Sequence, residues 1–235
     1  MRRLVVALGI AVLVVGGAVG GGIAYFVSRS DEPELVTEAP PLPSPVATVA
    51  PRGEVLHLVV VPEESEASYI AREKLARLPV STEAVGKTKA ITGDIYLTRQ
   101  GLAPQPPSVL RVDLRTLQSD EPRRDNYVRN NTLEADRYPY AEFIIEEIVG
   151  FPLDYREGEE AAVTLKGTMT IHGVSRPFSF DVRARYGGGV LTGVAHATFR
   201  LTDFGLSPPN IAGIVTVEDE MRLQVVLTAR LQTGS

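Results

Sequence analysis

The C-terminal part of the sequence alternates strictly between apolar and polar residues, and this pattern limits the possible folds more than any other feature. Side chains of a β-strand point alternately to its two faces, so an apolar residue at every second position indicates a strand with one buried face. Short, turn-forming connections at residues 172–177 and 187–189 predict antiparallel neighbours. The pattern therefore predicts a β-meander. Its four strands cover residues 163–171, 178–183, 195–201 and 221–228.

Further strands are predicted upstream by shorter apolar runs. Residues 68–78 place Ile70, Leu75 and Leu78 near helical spacing, which predicts a short helix. About eight antiparallel strands either stack as a sandwich or close into a barrel, and closure removes the exposed edges. The sequence thus predicts an all-β fold, an extended antiparallel β-barrel of about eight strands with short helices. The upstream strands cover residues 56–61, 84–98, 109–114 and 142–148.

The N-terminal segment is long and apolar. Residues 4–27 are 24 uncharged residues, and about 20 suffice to cross a bilayer as a helix. Arg2 and Arg3 precede the run, so the positive-inside bias predicts a single-pass anchor in the cell membrane with the C-terminal domain outside the cytoplasm. The alternative is a cleaved signal peptide and a secreted protein, because small residues at 16–22 could present a cleavage site.

The domain organisation follows from composition. Residues 1–29 are predicted to be the cytoplasmic N-terminus and transmembrane anchor. Residues 30–52 are rich in proline and poor in large apolar residues; we expect an extended, semi-rigid linker that buries no apolar surface. Residues 53–235 are predicted to form the barrel domain.

Composition also excludes several classes of function. The chain has no cysteine, so disulfides, thiolate catalysis and cysteine-based zinc sites are impossible. The net charge is −5 and no run of Lys or Arg follows Arg3, which argues against nucleic acid as a partner. The motifs of serine hydrolases, phosphate-binding loops and zinc proteases are missing from the sequence. We therefore expect neither an enzyme nor a metal site; His57, His172 and His196 fall in different strands or turns.

Charged residues cluster between the strands. Pro122 suits the first turn of a short helix capped by Ser119 or Asp120. Asp125 and its neighbouring arginines are predicted to fix this helix over one end of the barrel; a clamp for an anionic head group is the alternative. Farther on, Arg200 and Asp203 are predicted to form an ion pair that shapes the following turn.

Several motifs follow one another in the second half of the chain. The arginine-aspartate segment 123–129 is followed by Tyr138-Pro139 and a strand. After them come the segments 167–174, GTMTIHGV, 200–206, RLTDFGL, and 217–221, VEDEM. In this order, the motifs resemble those of the YceI-like family of exported bacterial proteins. The resemblance covers residues 54–231 and is weakest before Thr88.

The resemblance implies a lipocalin-like barrel around an apolar tunnel that binds a polyisoprenoid, such as the tail of an isoprenoid quinone. No cofactor is expected beyond this ligand, and the sequence does not fix the oligomeric state. The rival hypothesis is a structural or protein-interaction domain of the cell envelope whose barrel is filled by its own side chains. The ligand-binding residues are predicted on the apolar strand faces: Phe143, Ile145, Leu165, Met169, Ile171, Phe178, Phe180, Phe199, Met221 and Leu223, with Val163 as a further wall residue.

Overall fold

The fold is built from antiparallel β-strands. The computed structural model describes residues 33–43, 55–75, 81–211 and 215–232. Besides the strands, these residues contain one short α-helix, α1 (Pro122–Tyr127), which continues into a π-helical turn at Val128–Thr132. The strands are β1 (Leu56–Val60), β2 (Glu66–Leu75), β3 (Ser81–Thr88), β4 (Ile91–Thr98), β5 (Gly101–Leu102), β6 (Ser108–Asp113), β7 (Tyr140–Val149), β8 (Glu160–Ile171), β9 (Val174–Gly187), β10 (Val190–Arg200), β11 (Asn210–Ile211) and β12 (Val215–Leu231).

Strand β12 closes the sheet into a barrel. One edge of β12 pairs with β10, and the other pairs first with β2 and then with β1. β1 and β2 are two parts of one barrel strand, interrupted by a 3₁₀ turn at Pro62–Glu64. β3 and β4 together form the neighbouring barrel strand, since β4 pairs with β1 and β3 pairs with β2. With β6 to β10 and β12, the described residues form a closed antiparallel barrel of eight strands, as the sequence predicts.

The two ends of the barrel differ. At one end, β6 leads into α1 and β12 begins; we call this the helix end. At the opposite end, β9 and β10 are joined by a tight turn, β1 begins and β12 finishes; we call this the far end. The helix end is covered by the segment between β6 and β7, whose Gln118 makes a bridge to Lys87 of β3.

The hairpins of the meander are tighter than predicted. The turn between β8 and β9 comprises only His172 and Gly173, which have φ angles of 51° and 73°. Gly188 and Gly189, between β9 and β10, have φ angles of 58° and 77°. Left-handed backbone at both positions matches the right-handed twist of the strands and permits two-residue loops. The strands consequently extend to the turns, and β9 starts at Val174.

The helix predicted at residues 68–78 is wrong over residues 68–75, because these residues belong to β2; residues 76–78 lie outside the described residues. β2 pairs with β12 on one edge and with β3 on the other, so both rows of its backbone hydrogen-bonding groups are used in the sheet. Its apolar residues also follow a period of two: Ala67 and Ala71 line the interior, as does Tyr69. The helix-forming residues of the segment misled the sequence analysis, because sheet pairing overrides a weak local propensity.

The single strand predicted at residues 84–98 is also wrong in detail. It is broken at Lys89 and Ala90, where Ile91 N donates to Lys89 O at 2.8 Å and Ala90 N donates to Thr88 Oγ1 at 2.9 Å. This turn separates β3 from β4. The predicted loop after β4 likewise contains the short strand β5, which pairs with β4.

Part of the proline-rich segment is docked on the outside of the barrel. Val36 N donates to Gln224 Oε1 at 2.8 Å, Ala39 N donates to Glu160 Oε2 at 3.0 Å, and Pro40 O accepts from Thr192 Oγ1 at 2.6 Å. Ala39 is only 5% exposed. The expectation that this segment buries no apolar surface is therefore wrong for residues 33–43, because three distant strands supply partners for its backbone.

The predicted membrane anchor at residues 4–27 lies outside the described residues. Within the described ranges, no helix is long and apolar enough to cross a membrane. The anchor and the domain boundaries remain predictions from the sequence.

Replacing Ala39 by Arg tests the docking of residues 33–43. The larger side chain does not fit this buried position, and overpacking costs about 1–3 kcal/mol. We expect the amides of Val36 and Ala39 to exchange with solvent at least about fivefold faster in the full chain, as measured by hydrogen exchange. Glu38→Arg, at the exposed neighbouring position, is the matched control. Equal exchange in both variants would contradict the docked arrangement.

Candidate functional site: an apolar lumen with one polar end

The barrel encloses a cavity. Its volume is about 250 Å³, far above the roughly 10–15 Å³ that holds one water molecule. Its wall is almost entirely apolar and includes residues from β2, β3, β4, β6, β7, β8, β9, β10 and β12. Closure of the sheet brings these apolar faces together, so the cavity is the lumen of the barrel.

The lumen contains most of the wall predicted from the sequence. Phe143 and Phe180 pack edge to face with ring centroids 5.1 Å apart, and Met169 and Met221 are both 6% exposed. Ligand contact by these side chains stays a prediction. The predicted residues that line the lumen are Phe143, Ile145, Leu165, Met169, Ile171, Phe180, Phe199, Met221 and Leu223.

Phe178 is placed differently. It lies beside a shallow surface depression rather than among the residues that line the lumen. Its ring packs 5.1 Å from that of Phe180 and 6.1 Å from that of Phe199. Phe178 lies on the same face of β9 as Phe180, so it packs beside two aromatic wall residues without lining the lumen itself. Val163, the additional wall residue predicted, is also not among the lining residues.

The far end of the barrel is filled by side chains. Leu58 and Ala229 are 0% exposed, and Ile91 is 1% exposed. Together with Val60, Ala67, Ile95 and Leu227 they form a packed apolar cluster. The lumen is therefore blocked by the protein's own core at the far end, and the open volume lies between this cluster and the helix end.

A buried ion pair marks the helix end of the lumen. Arg124 of α1 and Glu73 of β2 both line the cavity, and their side chains are only 9% and 6% exposed. Arg124 Nε lies 3.2 Å from Glu73 Oε1, and Arg124 Nη1 donates to Asp120 Oδ1 at 2.6 Å. The helix is therefore joined to the barrel wall through a charge contact inside the lumen.

Burial is the largest single influence on the pKa values of the ionisable groups at this end of the lumen. It raises the pKa of Glu73, against the attraction of Arg124, and it raises the pKa of Tyr69 to about 12. Burial also works against the charge of Arg124, but the carboxylates of Glu73 and Asp120 outweigh it, so the pKa of Arg124 is raised. Tyr69 is consequently a neutral phenol at physiological pH.

The sequence analysis missed Tyr69 and Glu73 because both lie in the segment interpreted as a helix. On strand β2 they share the interior face with Ala67 and Ala71. A period of two across residues 67–73 was the available signal. It was weak because Glu73 breaks the apolar pattern at the polar end of the lumen.

Asp125 fastens α1 to the segment that precedes it, while the predicted link to the barrel runs through Arg124 and Glu73. Asp125 Oδ1 accepts from Ser119 N at 2.8 Å and from Ser119 Oγ at 2.6 Å. The cap predicted at Ser119 or Asp120 is wrong: Glu121 caps α1, its side chain accepting from Arg123 N at 3.0 Å. Glu121 directly precedes Pro122, so its side chain reaches the first free amide of the helix.

The remaining polar residues have local structural partners. His57 bonds to Asp94 at 2.6 Å, His196 bonds to Gln224 at 3.1 Å, and His172 packs against Tyr138 with ring centroids 4.3 Å apart. The three histidines thus lie apart from one another. The Arg200–Asp203 contact also differs from the prediction, since Asp203 Oδ2 accepts from the backbone N of Arg200 at 3.3 Å. It is a backbone cap on the 3₁₀ turn Leu201–Phe204.

The fold and the lumen define a class, that of closed antiparallel β-barrels with an enclosed apolar cavity. Within this class the chain belongs to the YceI-like family, because the sequence model of the YceI-like domain matches residues 59–229. A UPF0312 protein of Vibrio cholerae is 29% identical over 117 residues. That match covers 47% of this chain and 58% of the Vibrio protein.

Solved structures share the fold. A polyisoprenoid-binding domain of Saccharophagus degradans superposes with a TM-score of 0.59 at 14% identity, covering 75% of this chain and 98% of that domain. BcnA of Burkholderia cenocepacia superposes with a TM-score of 0.55 at 18% identity, covering 72% of this chain and 98% of BcnA. At these identities the likeness concerns the fold.

Replacing Asp125 by Ala tests the fastening of α1. Loss of the acceptor leaves the Ser119 amide and hydroxyl without their partner, so we expect unfolding free energy to fall by about 1–3 kcal/mol. Chemical denaturation of the full chain measures the change. Asp136→Ala, an exposed acidic residue in the same connection, should change stability by less than about 0.5 kcal/mol. A folded Asp125→Ala protein of unchanged stability would favour the head-group interpretation instead.

Proposed function

We propose that this chain is a membrane-tethered, extracytoplasmic lipid-binding protein that holds a polyisoprenoid chain inside its barrel. The observation that carries the proposal is the apolar lumen, which is lined on all sides by aliphatic and aromatic side chains and has polar groups at one end. Membership of the YceI-like family and the fold shared with a polyisoprenoid-binding domain support the same ligand class. The role is binding rather than catalysis.

Burial of the ligand's tail supplies the affinity. At roughly 25 cal/mol per Å², covering several hundred Å² of apolar tail yields on the order of 10 kcal/mol before the entropy of association is subtracted. A branched isoprenoid suits a wall of Phe, Leu, Ile and Met side chains because no part of its chain needs a hydrogen-bond partner. The rival function, an interaction domain with a filled barrel, fits the packed far end, but it does not use the cavity beside α1.

Lipid analysis of the purified full chain tests the ligand, and Met169 provides matched variants. Met169→Leu preserves volume and should retain bound lipid. Met169→Trp places a larger ring in the lumen and should reduce co-purified lipid at least about fivefold at equal protein recovery. Mass spectrometry of the extracted lipid measures both. Absence of isoprenoid lipid from the wild type as well as from both variants would favour the filled-barrel function.

The docked N-terminal segment also supports an orientation for the tether. Residues 36–40 run from the middle of the barrel, beside Gln224, towards the far end, beside Thr192. Followed back from Pro40 to Val36, the docked segment therefore points towards the helix end. Only five residues separate Val27 from Pro33, so their Cα atoms are at most about 22 Å apart. On this proposal, the helix end faces the membrane.

Single cysteine labels test this orientation, because the natural chain contains no cysteine. Arg137→Cys places a dye near the helix end, and Leu153→Cys places one in the β7–β8 connection at the far end; the native side chains are 73% and 74% exposed. Energy transfer to labelled lipid, in vesicles carrying the full chain, should be stronger from position 137. Stronger transfer from position 153 would reverse the orientation. Recovery of a soluble form that begins near Gly22 would overturn the tether itself.

A further inference from the structure

Apart from Ser68, the polar side chains among the described lining residues gather at one end of the lumen. Among the described lining residues, Ser68 donates its hydroxyl to Gln224 O at 3.2 Å and so is engaged in the barrel wall. The rest of the polar lining gathers beside α1, opposite the packed far end. These residues are Tyr69, Glu73, Arg124, Tyr127 and Thr132. Because the far end offers no polar group to a ligand, the head group of a lipid in the lumen belongs at the helix end.

The basic group at this end is already neutralised. Arg124 directs Nη1 to Asp120 Oδ1 at 2.6 Å and to Ser119 Oγ at 3.3 Å. Its Nη2 lies 3.4 Å from Glu73 Oε2, and its Nε faces the same carboxyl group. The guanidinium thus lies between two acidic side chains, and both of its terminal nitrogens donate to protein atoms. Its Nε lies beside the Glu73 carboxylate without making a hydrogen bond to it.

The charges around the lumen exclude an anionic head group. Arg124, Glu73 and Asp120 together carry a charge of −1 when Glu73 is ionised and zero when it holds a proton. Nearby, Asp125 and Arg129 offset each other, and Arg129 donates to Leu117 O at 2.7 Å. A diphosphate brings at least two negative charges, which must lose water without gaining a free cation. The site therefore repels a prenyl diphosphate.

Tyr69 supplies the complementary feature, a neutral hydrogen-bonding group. Its ring lies across Gly86 of β3, where a Cβ atom would collide with the ring. Within the described ranges, its hydroxyl makes no hydrogen bond to another residue. Burial keeps this group protonated, since the pKa is about 12. The hydroxyl can therefore donate to, or accept from, an uncharged oxygen on a ligand.

Resting on the proposed function, we infer that the lumen selects isoprenoids with an uncharged, oxygen-bearing head group and rejects prenyl phosphates. Glu73 and Asp120 provide the rejection by neutralising Arg124, and the Tyr69 hydroxyl provides the positive contact. The ligand class is accordingly a prenyl alcohol, phenol or quinone. Discrimination arises from the paired charges on α1 and β2 rather than from the apolar wall, which accepts the same tail in both classes.

Competition between two ligands with identical tails tests the inference. The full chain in lipid nanodiscs is labelled with a photoreactive prenol, and geranylgeraniol or geranylgeranyl diphosphate is added as competitor. For wild type we expect the diphosphate to compete at least about tenfold more weakly than the alcohol. The double variant Glu73→Gln, Asp120→Asn leaves Arg124 unneutralised and should shift the ratio at least about tenfold towards the diphosphate. Glu66→Gln, on the same strand but paired with Lys87 outside the barrel, should leave the ratio unchanged and so corrects for partition into the bilayer.

Tyr69→Phe provides a second variant that keeps the ring and the paired charges. It should weaken competition by the alcohol about threefold to tenfold, as expected for one hydrogen bond, with little change for the diphosphate. If the double variant does not fold, the wild-type ratio and Tyr69→Phe still decide the matter. Equal competition by both ligands in wild type would overturn the inference while leaving isoprenoid binding intact. Absence of any displaceable labelling would instead overturn the proposed function.

Discussion

The pairing of β12 on both of its edges is the interaction on which the rest of the structure depends. β12 meets β10 on one edge and β2 followed by β1 on the other, so the sheet has no free edge along this strand. Closure forces the alternate apolar residues of every strand towards one axis. The lumen, its aromatic wall and the position of Glu73 beside α1 all follow from this register.

Closing the sheet into a barrel does not by itself create a cavity. The open volume inside the barrel depends on where small side chains lie. Towards the far end, Leu58, Ile91 and Ile95 belong to one packed cluster, and Ile91 and Ile95 also form part of the lumen wall. Nearer the helix end, β2 and β3 contribute Ala71 and Ala84 to the wall. Large residues on β7 to β9 face these alanines across the barrel without filling the gap, because a closed sheet fixes the distance between opposite walls. A filled and an open section can therefore coexist in one barrel.

The sequence reveals those parts of the structure that depend on local periodicity. The meander and the wall residues Phe143, Met169 and Phe199 were predictable because alternation fixes which side chains share a face. The strand β2 was not predictable from the sequence, because its conformation depends on pairing with β12, which follows about 150 residues later. Docking of residues 33–43 has the same cause: Gln224 and Glu160 are distant acceptors, and proline-rich composition carries no information about them. The polar end of the lumen was hidden by the same mistake over β2.

Three independent features coincide at the helix end. The lumen's polar groups lie there, the short helix α1 covers it, and the docked segment points towards it when followed back from Pro40 to Val36. Under the proposed function, an isoprenoid that enters with its tail first would bury its apolar chain against Phe143 and Met221 and leave its head group beside Tyr69. Under the proposed tether, the head group would then remain at the end nearest the bilayer. Because Arg124 is held by Glu73 on the barrel and by Asp120 at the start of the helix, the contact that closes this end also determines the charge presented to the head group. Under the inferred selectivity, fastening of the helix and selection of the ligand would therefore be coupled through one guanidinium group.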